Sequence, residues 1–80
     1  MFSTEAFGQR LRAARKAAKE KQEELGRVLD GGKSQISELE HGTSSTSLEK
    51  LSLICQHYNV SADYLLGLTD DPKPYKRKKK

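Results

Sequence analysis

QEELGRVLDGGKSQISELEHG, residues 22–42 of this 80-residue chain, predicts two short amphipathic helices separated by a tight turn. Apolar residues recur at helical spacing on both sides of the turn, in one cluster from Leu25 to Leu29 and in another from Ile36 to Leu39. We therefore expect one helix over about residues 22–29 and another over about residues 33–41. The outer face of the second helix carries mostly polar side chains.

Glycines mark the turn and the end of the second helix. Asp30, Gly31 and Gly32 form the strongest turn signal in the chain, and we expect the two glycines to give the backbone access to positive φ. Gly42 stands where a left-handed residue can end the helix. The side chains predicted to point inward are Ile36, Leu39 and Glu40.

A preceding helix is predicted from Ser3 or Thr4, either of which can cap it, to about Lys19. Its apolar stripe consists of Phe7, Leu11, Ala14 and Ala18. No Gly or Pro follows before Leu25, so local propensity alone would allow one long helix from Phe7 to Leu29. Because a polar stretch separates the two apolar clusters, we place a break near Glu20.

Two further helices are predicted after the central stretch. Thr46 and Glu49 match a capping box for a fourth helix, and Ser61 can cap a short fifth helix with Asp63 near its positive end. The apolar side of the fourth helix consists of Leu48, Leu51, Ile54, Cys55 and Tyr58, and the fifth helix supplies Tyr64, Leu65, Leu66 and Leu68. The pattern predicts an all-α, compact five-helix domain over residues 1–70 and a basic, disordered tail over residues 71–80.

Charge is distributed unevenly along the chain. The formal net charge is +4, but residues 72–80 hold six of the 15 Lys and Arg residues, so residues 1–71 carry a formal net charge of −2. Six basic residues nevertheless fall in one twelve-residue window: Arg10, Arg12, Arg15, Lys16, Lys19 and Lys21. A local patch of this kind attracts a polyanion, although the same residues can simply form a solvated helix face.

Composition favours a binding module over an enzyme. A chain of 80 residues has a small core in which to enclose a catalytic pocket, and the sequence shows no Ser/His/Asp set, phosphate-binding Gly loop or metal-ligand spacing of His and Cys. We expect no cofactor and no metal. The single cysteine, Cys55, is expected in the core and fits a reducing compartment. With no apolar run of membrane length, we expect a cytoplasmic protein without membrane contact.

Three segments together resemble the lambda-type repressor and Cro proteins, also called the XRE family of helix-turn-helix proteins. They are LRAARKAAKEKQEEL at residues 11–25, SQISELE at residues 34–40 and SLEKLSLICQHYNVSADYLLGL at residues 47–68. The resemblance covers roughly residues 7–68, and it is specific as a set although no single segment would be. It implies a five-helix fold in which the helix over residues 33–41 enters the major groove of double-stranded DNA.

The resemblance implies a role for each matching position. Candidate base-reading residues on the outer face of that helix are Lys33, Ser34, Ser37 and Glu38, since lysine can donate to guanine and glutamate can accept from cytosine. Residues implied to contact the DNA backbone are Gln22, Arg10, Arg15, Lys21 and Gln35, with Gln22 at the family's phosphate-binding glutamine. Arg15 and Glu40 match a structural ion pair.

The implied function is a sequence-specific transcription regulator, a repressor that binds a palindromic operator as a homodimer. Tyr64, Leu65 and Leu68 are the candidate dimer interface, and they can equally complete the core. One alternative is an antitoxin or a restriction-modification controller, which has the same fold and can have a partner protein such as a toxin. Another is a helical protein-interaction module that does not read DNA, favoured by the net charge of −2 and by Glu38.

The sequence departs from the family at both ends of the helix over residues 22–29. Lys19, Glu20 and Lys21 replace the usual glycine, apolar residue and Ser or Thr cap, while Gly31 and Gly32 replace an apolar turn residue and a Ser or Thr cap. Both junctions therefore lack their ordinary capping side chains. The basic tail can add backbone contacts or solubility, or it can be an incidental terminus.

Overall fold

The computed structural model describes residues 2–74, and within them it contains five α-helices and no strand. The helices are α1 (Thr4–Ala17), α2 (Gln22–Val28), α3 (Lys33–His41), α4 (Leu48–Tyr58) and α5 (Ala62–Leu66). The predicted all-α, five-helix architecture is confirmed. Most of the predicted basic tail, residues 75–80, lies outside the described residues, so its predicted disorder stays a prediction.

α1 begins where the sequence predicts and ends slightly early. The Ser3 hydroxyl accepts a hydrogen bond from the Ala6 amide, and the helix stops at Ala17 rather than near Lys19. Lys19 then adopts a left-handed conformation with φ 59°, and the Glu20 amide donates to the Arg15 carbonyl at 3.1 Å. This geometry closes the helix without glycine, and it confirms the predicted break near Glu20.

The turn between α2 and α3 forms as predicted, but the residue with positive φ is a different one. Asp30 adopts φ 56°, whereas Gly31 and Gly32 do not enter the left-handed region, so that part of the prediction is wrong. Aspartate tolerates this conformation better than most residues. A Cβ at Gly31 would overlap the far end of the flexible Gln35 side chain, which could move aside. Gly32, at φ −113°, precedes α3 without a capping side chain.

α3 packs closely against α1 and presents its predicted inner face to the core. Gly8 allows this approach, because a Cβ at that position would lie only 2.4 Å from the Leu39 carbonyl oxygen. The predicted inward residues of α3 are indeed buried: Ile36, Leu39 and Glu40. Gly42 ends the helix at φ 78°, which confirms the predicted left-handed cap.

α4 differs from the prediction at its first turn. Ser47, not Thr46, caps the helix by accepting a hydrogen bond from the Lys50 amide at 3.1 Å. The Thr46 hydroxyl is buried and finds no hydrogen-bond partner in the described part of the chain. Leu48 is 85% exposed, so it does not belong to the buried stripe that we predicted. At α5 the Ser61 cap is confirmed, with its hydroxyl accepting from the Tyr64 amide.

All five helices contribute to a single core. Its buried side chains are Phe7, Leu11, Leu25, Leu29, Ile36, Leu39, Ile54 and Leu65, and Cys55 packs partly buried against them. Leu65 is completely buried, so it offers no surface to a second chain, while Leu68 is 73% exposed. Between residues 2 and 74, no helix is both long and apolar enough to cross a membrane.

Candidate nucleic-acid interface

The outer face of α3 carries the four predicted base-reading residues on one side of the helix. Lys33, Ser34 and Glu38 are exposed, and Ser37 is partly exposed. His41, four residues after Ser37, continues the same face, and its Nδ1 lies 2.7 Å from the Ser37 carbonyl oxygen and 3.3 Å from the hydroxyl. Because the opposite side of α3 is anchored in the core, this polar face is the one available to a ligand.

A buried ion pair fixes α3 against α1. Arg15 Nε donates to Glu40 Oε2 at 2.6 Å and Arg15 Nη2 donates to Glu40 Oε1 at 3.0 Å, in a bidentate arrangement. Both residues are only 8% exposed. The hydrogen bond to Glu40 raises the pKa of the Arg15 guanidinium, although burial acts in the opposite direction. The structural ion pair that the resemblance implied is therefore formed in this chain.

The same network engages two residues that the resemblance assigned to the DNA backbone. The Gln22 side-chain amide donates to Glu40 Oε1 at 3.1 Å, and the third Arg15 nitrogen, Nη1, donates to the Glu20 carbonyl at 2.8 Å. Arg15 thus uses its guanidinium within the protein. Gln22 remains partly exposed at the first turn of α2. Its hydrogen bond to Glu40 uses one amide hydrogen and leaves the side-chain oxygen and the second amide hydrogen for other partners.

Glu20 ties the bend after α1 to the end of α4. Its carboxylate accepts hydrogen bonds from the Tyr58 hydroxyl at 3.0 Å and pairs with His57 Nε2 at 2.8 Å. Burial raises the pKa of the Tyr58 hydroxyl, and its hydrogen bond to Glu20 raises it further. Glu20 and its two partners are separated by 37 and 38 positions in the chain, so no local sequence signal shows this cluster.

The Arg10 side chain is engaged in contacts within the domain. Its guanidinium donates to the carbonyl oxygens of Tyr64 and Thr69, pairs with the Asp70 carboxylate at 2.8 Å and lies 4.7 Å from the centre of the Tyr64 ring. These contacts join α1 to α5 and to the segment after it. The predicted contact of Arg10 with the DNA backbone stays a prediction, and its guanidinium is already used within the protein.

A polar cleft of about 150 Å³ opens between α1, α2 and α3. Its lining residues are Arg12, Arg15, Gln22, Glu40 and His41. Arg12 and His41 are exposed. Arg12 belongs to the basic window that was predicted to attract a polyanion, whereas His41 was given no role in DNA binding. Lys21 is exposed beside α2, and Gln35 is partly buried against Gly31.

Comparison with known proteins agrees with this arrangement. A family model described as helix-turn-helix matches residues 11–65, which contain α2, α3 and most of the remaining helices. The chain belongs to the helix-turn-helix family. Within that family the chain resembles the lambda-type (XRE) proteins, since residues of α1, α4 and α5 lie in the matched region as well.

Two relatives of this helix-turn-helix chain are similar in sequence. An uncharacterized HTH-type transcriptional regulator, YobD of Bacillus subtilis (strain 168), is 43% identical over 68 residues, which are 85% of this chain and 61% of the relative. Antitoxin PezA of Streptococcus pneumoniae serotype 4 is 35% identical over 61 residues, 76% of this chain and 39% of the antitoxin. The chain thus spans less than two thirds of either relative.

Two solved structures share the helix-turn-helix fold. The P22 c2 repressor protein, crystallised with synthetic operator 9T in the presence of Tl⁺, has a TM-score of 0.71 and 33% identity, covering 75% of this chain and 91% of the repressor chain. The clp gene regulator ClgR from C. glutamicum has a TM-score of 0.70 and 30% identity, covering 79% and 82%. The resemblance to the lambda-type repressors is therefore confirmed at the level of the fold.

Proposed function

We propose that this chain is a sequence-specific DNA-binding transcription regulator of the repressor type that inserts α3 into the major groove. The observation that carries the proposal is the exposed polar face of α3, held rigidly by a buried inner face and by the Arg15–Glu40 pair. The fold is shared with a repressor that was crystallised on a synthetic operator. A helix of this width fits the major groove of B-DNA.

Base reading is assigned to four side chains of α3. Lys33 and Ser34, both exposed in the first turn, are the strongest candidates because nothing in the described chain competes for them. Lysine donates to guanine O6 or N7, and serine can donate or accept. Glu38 is exposed and can accept from cytosine N4, while the Ser37 hydroxyl is shared with His41. Specificity would thus depend mainly on short or flexible side chains.

Backbone contacts are assigned to the residues around the cleft and the bend after α1. Gln22, Lys21 and Arg12 are accessible there, and Gln35 can contribute from the first turn of α3. Arg15 supports these contacts indirectly, because it holds α3 and the bend in place. The two cations among these residues, Lys21 and Arg12, would also supply the salt-dependent part of the affinity by neutralising DNA phosphates.

We further propose that the regulator binds a palindromic operator as a homodimer. Two-fold symmetry would separate the recognition helices by about 34–36 Å, one turn of DNA. Of the three predicted interface residues, Leu68 is exposed and Tyr64 is partly exposed, so these two would supply the contact that the buried Leu65 cannot. Sedimentation of the chain with and without a selected operator tests this part.

The central test is selection of bound sequences from a random DNA pool, followed by affinity measurements over a salt series. We expect an enriched motif and an affinity that falls steeply with salt. Lys33→Ala should lose about 1–3 kcal/mol of binding free energy at one operator position only, whereas the backbone variant Lys21→Ala should lose affinity equally on all sequences. Absence of binding to any duplex at low salt would favour a protein-interaction module instead.

The similarity to Antitoxin PezA favours a second candidate function, a DNA-binding antitoxin. Such a protein would bind a toxin as well as DNA. Purification of the tagged chain from its native cells distinguishes the two functions. A stoichiometric protein partner that alters operator affinity supports the antitoxin, and a chain that binds its operator alone and elutes without a partner supports the regulator.

A further inference from the structure

His41, the last residue of α3, is held in one tautomer by its own helix. Its Nδ1 lies 2.7 Å from the Ser37 carbonyl oxygen. A carbonyl oxygen only accepts hydrogen bonds, so Nδ1 must carry a proton in the neutral ring as well as in the charged one. In the neutral ring Nε2 is then an acceptor, and it becomes a donor only when the ring takes up a second proton.

The cleft that His41 lines is suited to an anion. Arg12 and Arg15 project into the cleft from α1, and Gln22 lines it from α2. Arg15 is neutralised by its bidentate pair with Glu40, but within residues 2–74 no hydrogen bond or ion pair engages Arg12. The cleft therefore holds one uncompensated positive charge, beside amide and guanidinium donors.

The charged groups near His41 come from α1 and from α3 itself. α1 contributes Arg12 and Arg15, together with Glu5, whose Cγ would lie 3.0 Å from a Cβ at Gly42. α2 contributes the uncharged Gln22, and α3 itself contributes Glu38 and the paired Glu40. A phosphate in the cleft would be attracted by a protonated His41, because the two charges are opposite in sign. The same phosphate would be repelled by the Nε2 lone pair of the neutral ring.

We propose that His41 is a protonation-dependent ligand of a DNA backbone phosphate in this cleft, donating from Nε2 beside Arg12. The inference rests on the proposed DNA binding and adds its regulation by pH. Histidine is the side chain whose charge ordinarily changes between about pH 5 and 8. Affinity for DNA of any sequence therefore rises as the pH falls through this range, since a phosphate contact carries no base information.

The test measures binding of the whole chain to a random-sequence duplex and to its selected operator at about pH 8 and about pH 6, at constant ionic strength and without phosphate buffer. We expect roughly three- to tenfold tighter binding at the lower pH on both duplexes, the effect of one charge-assisted hydrogen bond at an exposed site. The slope of log affinity against log salt should steepen by about 0.9 for one added phosphate contact.

Three variants separate His41 from other titrating groups. His41→Gln removes the titrating ring and should bind with the same affinity at both pH values. His41→Lys carries a fixed charge and should bind at about pH 8 as tightly as the wild-type protein does at about pH 6. The matched control, His57→Gln, removes the other histidine and should keep the full pH dependence. Thermal unfolding at both pH values checks that each variant is folded.

The possible failures are distinguishable. A wild-type affinity that does not change with pH overturns the His41 proposal by itself. A pH dependence that survives in His41→Gln, or one that disappears in His57→Gln, also overturns it. A gain confined to the selected operator would show a base contact rather than a phosphate contact, and it also overturns the proposal. Failure to bind any duplex at either pH overturns the proposed function itself.

Discussion

The two bends that flank α2 share a backbone geometry and differ in what holds it. In the first bend, residues 18–21, Lys19 adopts φ 59° and the Glu20 amide donates to the Arg15 carbonyl at 3.1 Å. In the second bend, residues 29–32, Asp30 adopts φ 56° and the Gly31 amide donates to the Gly26 carbonyl at 2.8 Å. Each bend thus ends its helix with one left-handed residue that is not glycine.

Side-chain hydrogen bonds, including those from the distant residues His57 and Tyr58, fasten the first bend. Arg15 donates to the Glu20 carbonyl, Tyr58 and His57 meet the Glu20 carboxylate, and the Glu24 carboxylate accepts from the Lys21 amide. Among the described residues, no side-chain hydrogen bond reaches the second bend, where Gly26 and Gly32 approach closely instead. The first bend is therefore held by side-chain hydrogen bonds, whereas the second bend depends on its own backbone geometry and on the close approach of Gly26 and Gly32. Outside the second bend, α2 and α3 are joined by the Gln22–Glu40 hydrogen bond and by their shared core.

The largest effect is expected from breaking the anchor of the first bend at Arg15. Arg15→Met removes both hydrogen bonds to Glu40 and the one to the Glu20 carbonyl, and it leaves the Glu40 carboxylate buried with Gln22 as its partner. We expect the free energy of unfolding, measured by urea denaturation, to fall by about 3–5 kcal/mol.

Two comparisons sharpen this result. Arg12→Met, on the same helix but exposed, should change stability by no more than about 0.5 kcal/mol. Replacing both partners, Arg15→Met with Glu40→Met, should recover much of the loss, because no charge remains buried without its partner. If the single Arg15 variant is as stable as the Arg12 variant, the ion pair does not anchor the bend.

A smaller loss is expected at Glu20, which meets the end of α4. Glu20→Gln keeps the shape of the side chain but weakens its bonds to Tyr58 and His57, and we expect a loss of about 1–3 kcal/mol in the same denaturation experiment. Glu38→Gln, at an exposed position on α3, is the matched control and should be nearly neutral. Equal stability of the two variants would mean that the first bend does not need the contact with α4.

The same contrast explains what the sequence could predict. The break near Glu20 and the cap at Gly42 were predictable, because apolar spacing and a glycine are local signals. The residue that turns the second bend was not predictable, because the two adjacent glycines enter positive φ more readily than Asp30, which adopts it here. Thr46 and Ser47 are adjacent and both can cap a helix, so the sequence alone left open that α4 begins at Leu48.

The candidate site was predictable in its outer face but not in its internal contacts. Lys33, Ser34 and Glu38 follow from helical periodicity once α3 is located. The contacts of Arg10 within the protein could not be predicted, because its partners lie 54 to 60 positions away along the chain, beyond any periodic pattern. The position of His41 beside Arg12 could not be predicted either, because three helices together form the cleft that both residues line.

The smallest predicted effect compares the left-handed residues of the two bends directly. Left-handed backbone costs most residues about 1–2 kcal/mol, and glycine avoids this cost while losing some entropy on folding. Lys19→Gly should therefore stabilise the protein by about 0.5–1 kcal/mol. Asp30→Gly should gain less, because aspartate enters this conformation more readily than lysine does.

Denaturation of the two glycine variants under identical conditions measures this difference. Lys16→Gly, within α1, is the control for the cost of glycine in an ordinary helical position, and it should destabilise the protein by about 0.5–1 kcal/mol. The sign at position 19 is the informative quantity. A stabilised Lys19→Gly variant would mean that the side-chain contacts around Glu20 hold the first bend against an unfavourable backbone conformation. A destabilised one would mean that the lysine side chain contributes to the bend in a way that the hydrogen bonds of the described residues do not account for.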